Sequence, residues 1–264
     1  LVPLLEQAVY DDEIVYADQS AYQRIILTQH KDDLRLYLNG DLQFSSLDEH
    51  RYHEPIVHIP MQLAKQRGNV LLLGGGDGLA AREILSYPEV SSLTIVDLDD
   101  KVTALASTHA LMRALNKHSL TNPRVTMIHE DAWRFVHDTE VLFDVVIADL
   151  PDANDYALGK LYSIEFYRRV SRVLAPGGVF ITQAASPFFT RNAFWCIAHI
   201  LASHSGPLRL ESLTLPSNLR YLTNALLPTL TIFDGDTSEV PTAIQRLDSQ
   251  VLVKLYGDGW DRFN

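Results

Sequence analysis

Between Ile14 and Phe44 the chain runs in short apolar-rich stretches, IVYADQ, RIILT and LRLYL, separated by polar turns such as HKDD and NGD. Period-two runs bounded by turn residues predict a small antiparallel sheet, placed within residues 1–53. From residue 54 onward the pattern changes. The apolar runs NVLLLG, SLTIVDLD, RVTMIHED, FDVVIADL and VFITQAA alternate with stretches of helical spacing: LAAREILSY, KVTALASTHALMRAL, AWRFVHD, SIEFYRRVSRVLAPGG and NAFWCIAHILASH. Strands that are apolar on both faces, alternating with amphipathic helices, predict a parallel sheet covered on both sides. The expectation is an α/β chain: a Rossmann-like domain over 54–264 behind an N-terminal antiparallel β-strand subdomain over 1–53.

A chain of 264 residues, 47% of them hydrophobic, has the material for one such domain and a small appendage rather than two equal domains. Its net charge of -11 argues against nucleic acid as a partner, because nothing would neutralise a phosphate backbone. Cationic ligands gain by the same charge. The single cysteine, Cys196, excludes an intrachain disulfide and a cysteine-based metal site. No apolar run approaches bilayer-spanning length, and LVPLLEQ at the start is too short and uncharged for a signal peptide.

In a parallel α/β sheet the ligand sits beyond the carboxyl ends of the strands, so each strand exit is read for chemistry. The first exit is GGGDG, namely Gly74, Gly75, Gly76, Asp77 and Gly78, whose glycines let backbone approach a ligand and turn into a helix. The second is Asp97, nineteen residues after Gly78, placed to accept from ribose hydroxyls. Asp131 in HEDAW is the third, and Asp149 and Asp152 in ADLPD form the fourth. Singly, each admits a plainer reading: a glycine run is often a tight turn, and Asp131 before AWRF has the look of a helix N-cap. Their common register favours a site.

Three other clusters carry less. HRYHEPIVH holds three histidines and a glutamate, but its spacing is not that of a zinc helix, and Pro55 is expected to interrupt the helix such a site needs. No metal is expected. Phe188, Phe189, Phe194 and Trp195 read as core packing before they read as an amine cage. Ser186 has no partnered histidine at a nucleophile elbow.

Taken together, YQRI with Gln23, LYLNGDLQ with Gln43, DEHRYHE with Tyr52 and His53, GGGDG, IVDLD, EDA, DLPD, LYSIEFY and LAPGG resemble the polyamine aminopropyltransferases, the spermidine synthase family, over nearly the whole chain. The resemblance implies a class I, AdoMet-dependent type of transferase fold. It also implies an aminopropyl group moved from decarboxylated S-adenosylmethionine to putrescine or a related amine, releasing 5′-methylthioadenosine, with no prosthetic group. By the same resemblance Gln23, His53, the GGGDG loop, Asp97, Asp131 and Ala132 would hold the donor. Tyr52 and Asp152 would hold the acceptor, and Asp149 would be the catalytic base. A role for Gln43 is less secure. Asp77 would pair with the ammonium of the decarboxylated donor and repel the carboxylate of ordinary AdoMet.

The wording YQRIILT, QFSSLDEHRYHE and ASPFFTRNAFWCI is most like the catalytic domain of the branch fused to an N-terminal membrane region. That places the domain in the cytoplasm, at the cytoplasmic face of the inner membrane in a longer native chain, and family habit implies a homo-oligomer. Two departures stand out. Ala153 replaces the proline that usually follows the second aspartate, and a glycine- and aromatic-containing loop and core strand are expected to be missing between Ser217 and Asn218. The alternatives are an AdoMet-dependent methyltransferase, against which Asp77 and the Asp149/Asp152 pair argue, and a non-catalytic polyamine or nucleoside binder.

Overall fold

The computed structural model describes residues 7–202, 210 and 213–260. Of the opening LVPLLEQ only Gln7 falls within them, as does all but the last two residues of NAFWCIAHILASH.

Four strands, β1 (Glu13–Gln19), β2 (Arg24–His30), β3 (Asp33–Leu38) and β4 (Asp41–Ser45), form an antiparallel meander in the order 1-2-3-4. The NGD turn works because Asn39 and Gly40 both take positive φ, 53° and 91°, the geometry of a two-residue hairpin loop. One face of this sheet, with Ile25, Leu27, Leu34, Leu36 and Phe44, shares a core with Leu79, Val102, Leu105 and Met112. The meander therefore rests on the helices of the larger sheet.

That sheet has five parallel strands in the order β7-β6-β5-β8-β9: β5 (Asn69–Gly74), β6 (Ser92–Asp97), β7 (Val125–His129), β8 (Phe143–Asp149) and β9 (Leu174–Thr182). Alternate residues serve opposite faces. Val70, Leu72, Leu93, Ile95, Val145 and Ile147 pack on one side, and Leu71, Leu73, Val96, Val146 and Ala148 on the other. Helices α1 (His50–Leu63) and α2 (Leu79–Ile84) cover the first side; α5 (Ala132–Asp138), α7 (Ile164–Val173) and α8 (Arg191–Ala202) cover the second. The helix α1 runs across position 53 and carries the two segments without a break.

Three details differ from expectation. Pro55 does not interrupt its helix: α1 is continuous through both Pro55 and Pro60. Each proline costs about 3 kcal/mol in a helix interior, but burying Ile56, Val57 and Met61 contributes about 1.5–3 kcal/mol apiece. Second, KVTALASTHALMRAL is two helices, α3 (Asp100–Thr108) and α4 (Ala110–Leu115), parted where His109 takes extended backbone. Third, APGG belongs to β9 rather than to the preceding helix, and a register shift between Phe143 and Val145 accommodates it. A short helix α6 (Tyr156–Gly159) follows β8, and α9 (Val251–Trp260) ends the described chain. Among the described residues no strand follows β9, where the resemblance leads one to look for a further core strand.

Candidate active site

The glycine loop joins β5 to α2 by three left-handed residues, Gly74 (φ 79°), Gly75 (φ 70°) and Gly78 (φ 82°), a conformation that side chains with a Cβ resist. Crowding adds a second reason. A Cβ on Gly74 would sit 2.0 Å from the Asp149 carbonyl oxygen, and one on Gly76 would sit 2.5 Å from Asp97 Oδ2. The loop backbone is thus pressed between the two strand-exit aspartates. Parallel pairing puts them there, with Gly74 opposite Asp149 and Asp97 opposite His129.

Asp97 accepts from the Gly76 amide at Oδ2 and the Asp99 amide at Oδ1, both at 2.9 Å. Burial nevertheless pushes its carboxyl up to about 6, since the two amides only partly offset desolvation and the Asp77 charge adds to it. Asp77 accepts from the Leu79 amide at 2.8 Å, so it does help turn the chain into α2. One hydrogen bond is not the whole of its situation. Burial raises its affinity for a proton, the charge of His53 opposes that, and the charge of Asp149 reinforces it.

Helix α1 brings two side chains to the same place. Tyr52 donates to Asp149 Oδ1 at 2.6 Å, and the crowding of its hydroxyl together with that carboxylate keeps it protonated well above the ordinary phenol range. His53 is buried, with Nδ1 held by the Glu49 carbonyl at 2.9 Å and by Glu49 Oε2 at 2.8 Å. Both partners are acceptors, so Nδ1 carries the hydrogen. Burial alone would lower the His53 pKa; the Glu49 hydrogen bond and the charges of Asp77 and Asp149 outweigh it and raise it.

The remaining residues singled out by sequence divide. Gln23 reaches Asp99 Oδ2 at 2.8 Å, bracing the meander against the cap of α3. Asp131 caps α5 through the Trp133 and Arg134 amides and pairs with Lys160 Nζ at 2.5 Å. Against the effect of burial, Lys160 and those amides hold Asp131 below its usual range. Ala132, next to it, is buried. Asp152 accepts from Gln183 at Oδ1, 2.7 Å, and from the Tyr256 hydroxyl at Oδ2. Gln43 is exposed and, among the described residues, bonds locally to the Asp41 carbonyl.

The sequence did not single out several buried or bridging side chains around these residues. Gln183 follows β9 and bonds Asp152, the Leu150 carbonyl and Tyr162, so reading the fifth strand exit like the other four would have found it. Glu49 and Arg82 lie behind His53, with Arg82 Nη2 at 2.8 and 3.0 Å from the two Glu49 oxygens. Glu54 accepts from three consecutive amides, Arg220, Tyr221 and Leu222, at 2.6–2.8 Å. No local signal announces these. Glu54 and His58 are committed to structural contacts, His58 with Tyr87 and Glu83, and no metal-ligating cluster occurs among the described residues. Phe194, Trp195 and Phe233 pack together with the Trp195 indole N–H on the Thr237 carbonyl, while Phe188 and Phe189 meet edge to face and are exposed.

A 3-2-1-4-5 parallel sheet, a left-handed glycine loop at its first exit and an aspartate at its second define a Rossmann-like, class I AdoMet-type transferase domain. Comparison with known proteins narrows this. The family model described as "Spermine/spermidine synthase domain" matches residues 49–224, and the chain belongs to that family.

The chain is 40% identical over 279 residues to a polyamine aminopropyltransferase of Leptospira interrogans, covering 97% of this chain and 56% of that one. It is 48% identical over 192 residues to polyamine aminopropyltransferase 2 of Ralstonia nicotianae, covering 73% and 38%. It thus spans about half or less of the length of these curated relatives. The Leptospira alignment is longer than this chain, as it must be where the relative carries residues without a counterpart here. Among solved structures, spermidine synthase from Thermotoga maritima matches with a TM-score of 0.66 at 28% identity, over 72% of this chain and 63% of that one. A spermidine synthase in complex with the transition state analogue AdoDATO matches with a TM-score of 0.65 at 27% identity, over the same shares. No described helix is long and apolar enough to cross a membrane.

Proposed function

We propose that this chain is an aminopropyltransferase that uses decarboxylated S-adenosylmethionine as co-substrate and putrescine or a related amine as acceptor. The observation that carries the reading is the convergence of Asp77, Asp97 and Asp149 on one glycine loop, two of them held protonated more readily than free aspartate. Carboxylates that resist ionisation in an empty site are relieved by a bound cation. The decarboxylated donor is such a cation, with a sulfonium and an ammonium and no carboxylate. Ordinary AdoMet would set its carboxylate against Asp77.

In the reaction the acceptor nitrogen attacks the carbon next to sulfur, the new N–C bond forms, and the C–S bond breaks with its electron pair going to sulfur. The products are the extended amine and neutral 5′-methylthioadenosine. The attacking nitrogen must first lose a proton. A primary ammonium near pKa 10.4 facing a carboxylate near 3.9 makes direct transfer uphill by roughly 9 kcal/mol. Asp149 therefore binds the amine as an ammonium first and accepts its proton only when the site has closed and excluded water. Tyr52, which donates to Asp149 Oδ1, holds that carboxylate in position.

The role of Asp131 toward adenine and of Asp152 toward the acceptor follow the family resemblance, and each has a protein partner to exchange, Lys160 and the Gln183/Tyr256 pair. The test is titration with decarboxylated AdoMet and with AdoMet, followed by assay of methylthioadenosine release on putrescine, cadaverine, agmatine and spermidine. Preference for the decarboxylated donor with release on one amine supports the reading. Preference for AdoMet turns it toward methyl transfer.

A further inference from the structure

His53 is a basic side chain on which the charges of two strand-exit carboxylates, Asp77 and Asp149, act. It is 3% exposed and bonded to Glu49 on its own helix, and the negative charges of Asp77 on the glycine loop and Asp149 at the end of β8 favour its protonated form. Tyr52 packs against it edge to face, ring centroids 5.1 Å apart, and stays neutral. Behind Glu49 stands Arg82, which itself also pairs with Glu83 at 2.8 Å; Glu83 in turn meets His58. Glu49 is kept ionised: burial works against it, but the His53 hydrogen bond and Arg82 hold its pKa below the ordinary value. Because Glu49 fixes the hydrogen on Nδ1, any change of charge on His53 takes place at Nε2, for which no hydrogen-bond partner exists among the described residues.

We propose that His53 carries a proton on both ring nitrogens in the empty site, standing in for the absent substrate cation, and gives the Nε2 proton to solvent when the cationic donor binds. This rests on the aminopropyltransferase reading. The empty site holds three carboxylates facing one imidazolium; the loaded site would hold the donor's sulfonium and ammonium as well. Retaining the imidazolium then puts like charges together in a desolvated space, and losing one proton relieves it. The neutral ring keeps its hydrogen at Nδ1 and presents a lone pair at Nε2, able to accept from the donor's ammonium. Glu49 is on this account a positioning residue: it sets the tautomer and the charge of His53 without touching substrate.

Linkage gives the sign. A site that releases a proton on binding binds more tightly as pH rises, by up to tenfold per pH unit between the pKa of His53 in the loaded and in the empty protein. Calorimetric titration in phosphate and in Tris buffers, which differ in ionisation enthalpy, counts the protons. With decarboxylated AdoMet the wild-type protein is expected to release close to one proton. With 5′-methylthioadenosine, which carries neither charge, release is expected to be near zero. His53→Gln should release close to one proton fewer than the wild type above about pH 6, keeping only what Asp77 and Asp97 give up toward lower pH, and Glu49→Gln should show the His53 share only at lower pH. Binding of the donor without proton release, or equal release from His53→Gln, overturns the inference and leaves the functional reading standing. Failure of both nucleosides to bind overturns the functional reading instead. Nitrogen NMR of the ligand-free protein then decides the inference separately: a His53 ring titrating above about 6.5 supports it, and one titrating at or below that value overturns it.

Discussion

The hydroxyl of Tyr52 donates a 2.6 Å hydrogen bond to Oδ1 of Asp149, joining helix α1 to the end of β8 across 97 positions of sequence. The contact places a neutral donor on the carboxylate proposed to take the substrate's proton. It links the positioning of that carboxylate to a side chain that keeps 39% of its own surface exposed. Tyr52→Phe should therefore spare the fold and weaken the site. A hydrogen bond to a charged group contributes about 1.5–3 kcal/mol, so methylthioadenosine release should slow by roughly 10- to 100-fold, with the secondary structure read by circular dichroism unchanged.

Asp149→Asn removes the proposed proton acceptor and keeps its shape. Turnover should fall by about 10²–10⁴-fold, the range of general-base catalysis. Donor affinity should change only a few-fold, because the donor's ammonium is assigned to Asp77. Single-turnover kinetics beside equilibrium binding separates the two. A variant that retains most of its rate removes Asp149 from the role.

Asp77→Asn tests the selectivity assignment. Loss of one partner of a desolvated charge pair costs about 2–5 kcal/mol, so affinity for decarboxylated AdoMet should fall by at least roughly thirtyfold. Affinity for ordinary AdoMet should hold or rise, since the repulsion is gone. Competition binding of the two nucleosides measures the ratio directly, and an unchanged ratio would leave Asp77 with only its hydrogen bond to the Leu79 amide.

Asp97 makes the empty protein's stability depend on pH. Its folded-state pKa, about 6, lies above the unfolded value of 3.8, so the folded state holds the proton more tightly. The stability it contributes is complete below about pH 4 and is lost as pH rises through 6, to a total of up to about 3 kcal/mol. Glu83 has the opposite sign. Burial opposes its ionisation, but His58 and Arg82 hold it at about 2, so its contribution is present above about pH 4.5 and is lost toward pH 2. Urea unfolding from pH 4 to 7 should show a falling limb in the wild type that is flattened in Asp97→Asn.

Glu54 ties residues 220–222 to helix α1 through three amide hydrogen bonds. Glu54→Ala would leave those N–H groups without their acceptor, at a cost on the order of 3 kcal/mol. Hydrogen exchange at Arg220, Tyr221 and Leu222 should accelerate well beyond that of the β5–β8 core. Exchange that stays slow would mean other contacts hold the segment, such as the packing of Leu222 with Leu210 and Leu227.

Much of the architecture was legible because it is periodic. The five parallel strands, the meander and the NGD turn follow from local patterns of burial and from the conformational freedom of Asn39 and Gly40. Boundaries were less legible. The helix through Pro55 and Pro60 persists because tertiary burial outweighs local propensity, and APGG is carried into β9 as the irregularity between the Phe143–Leu174 and Val145–Val179 pairs. The Asp131 reading shows a further limit, since one carboxylate both caps α5 and meets Lys160, and spacing alone cannot separate a cap from a ligand.

By itself the sequence determined the class of fold, the strand exits that carry Asp77, Asp97 and Asp149, and the motif order that marks the family. These are encoded locally, in runs of a few residues whose spacing repeats with the backbone. Only the tertiary structure decided that Tyr52 serves Asp149, that Gln183 and Tyr256 occupy Asp152, and that Glu49 and Arg82 stand behind His53. Those are pairings across 4 to 104 positions. Even the shortest depends on a buried ion pair whose second member, Arg82, comes from a different helix. A side chain's charge and hydrogen bonds are set by what the fold brings next to it, and nearest-neighbour pattern carries no record of that.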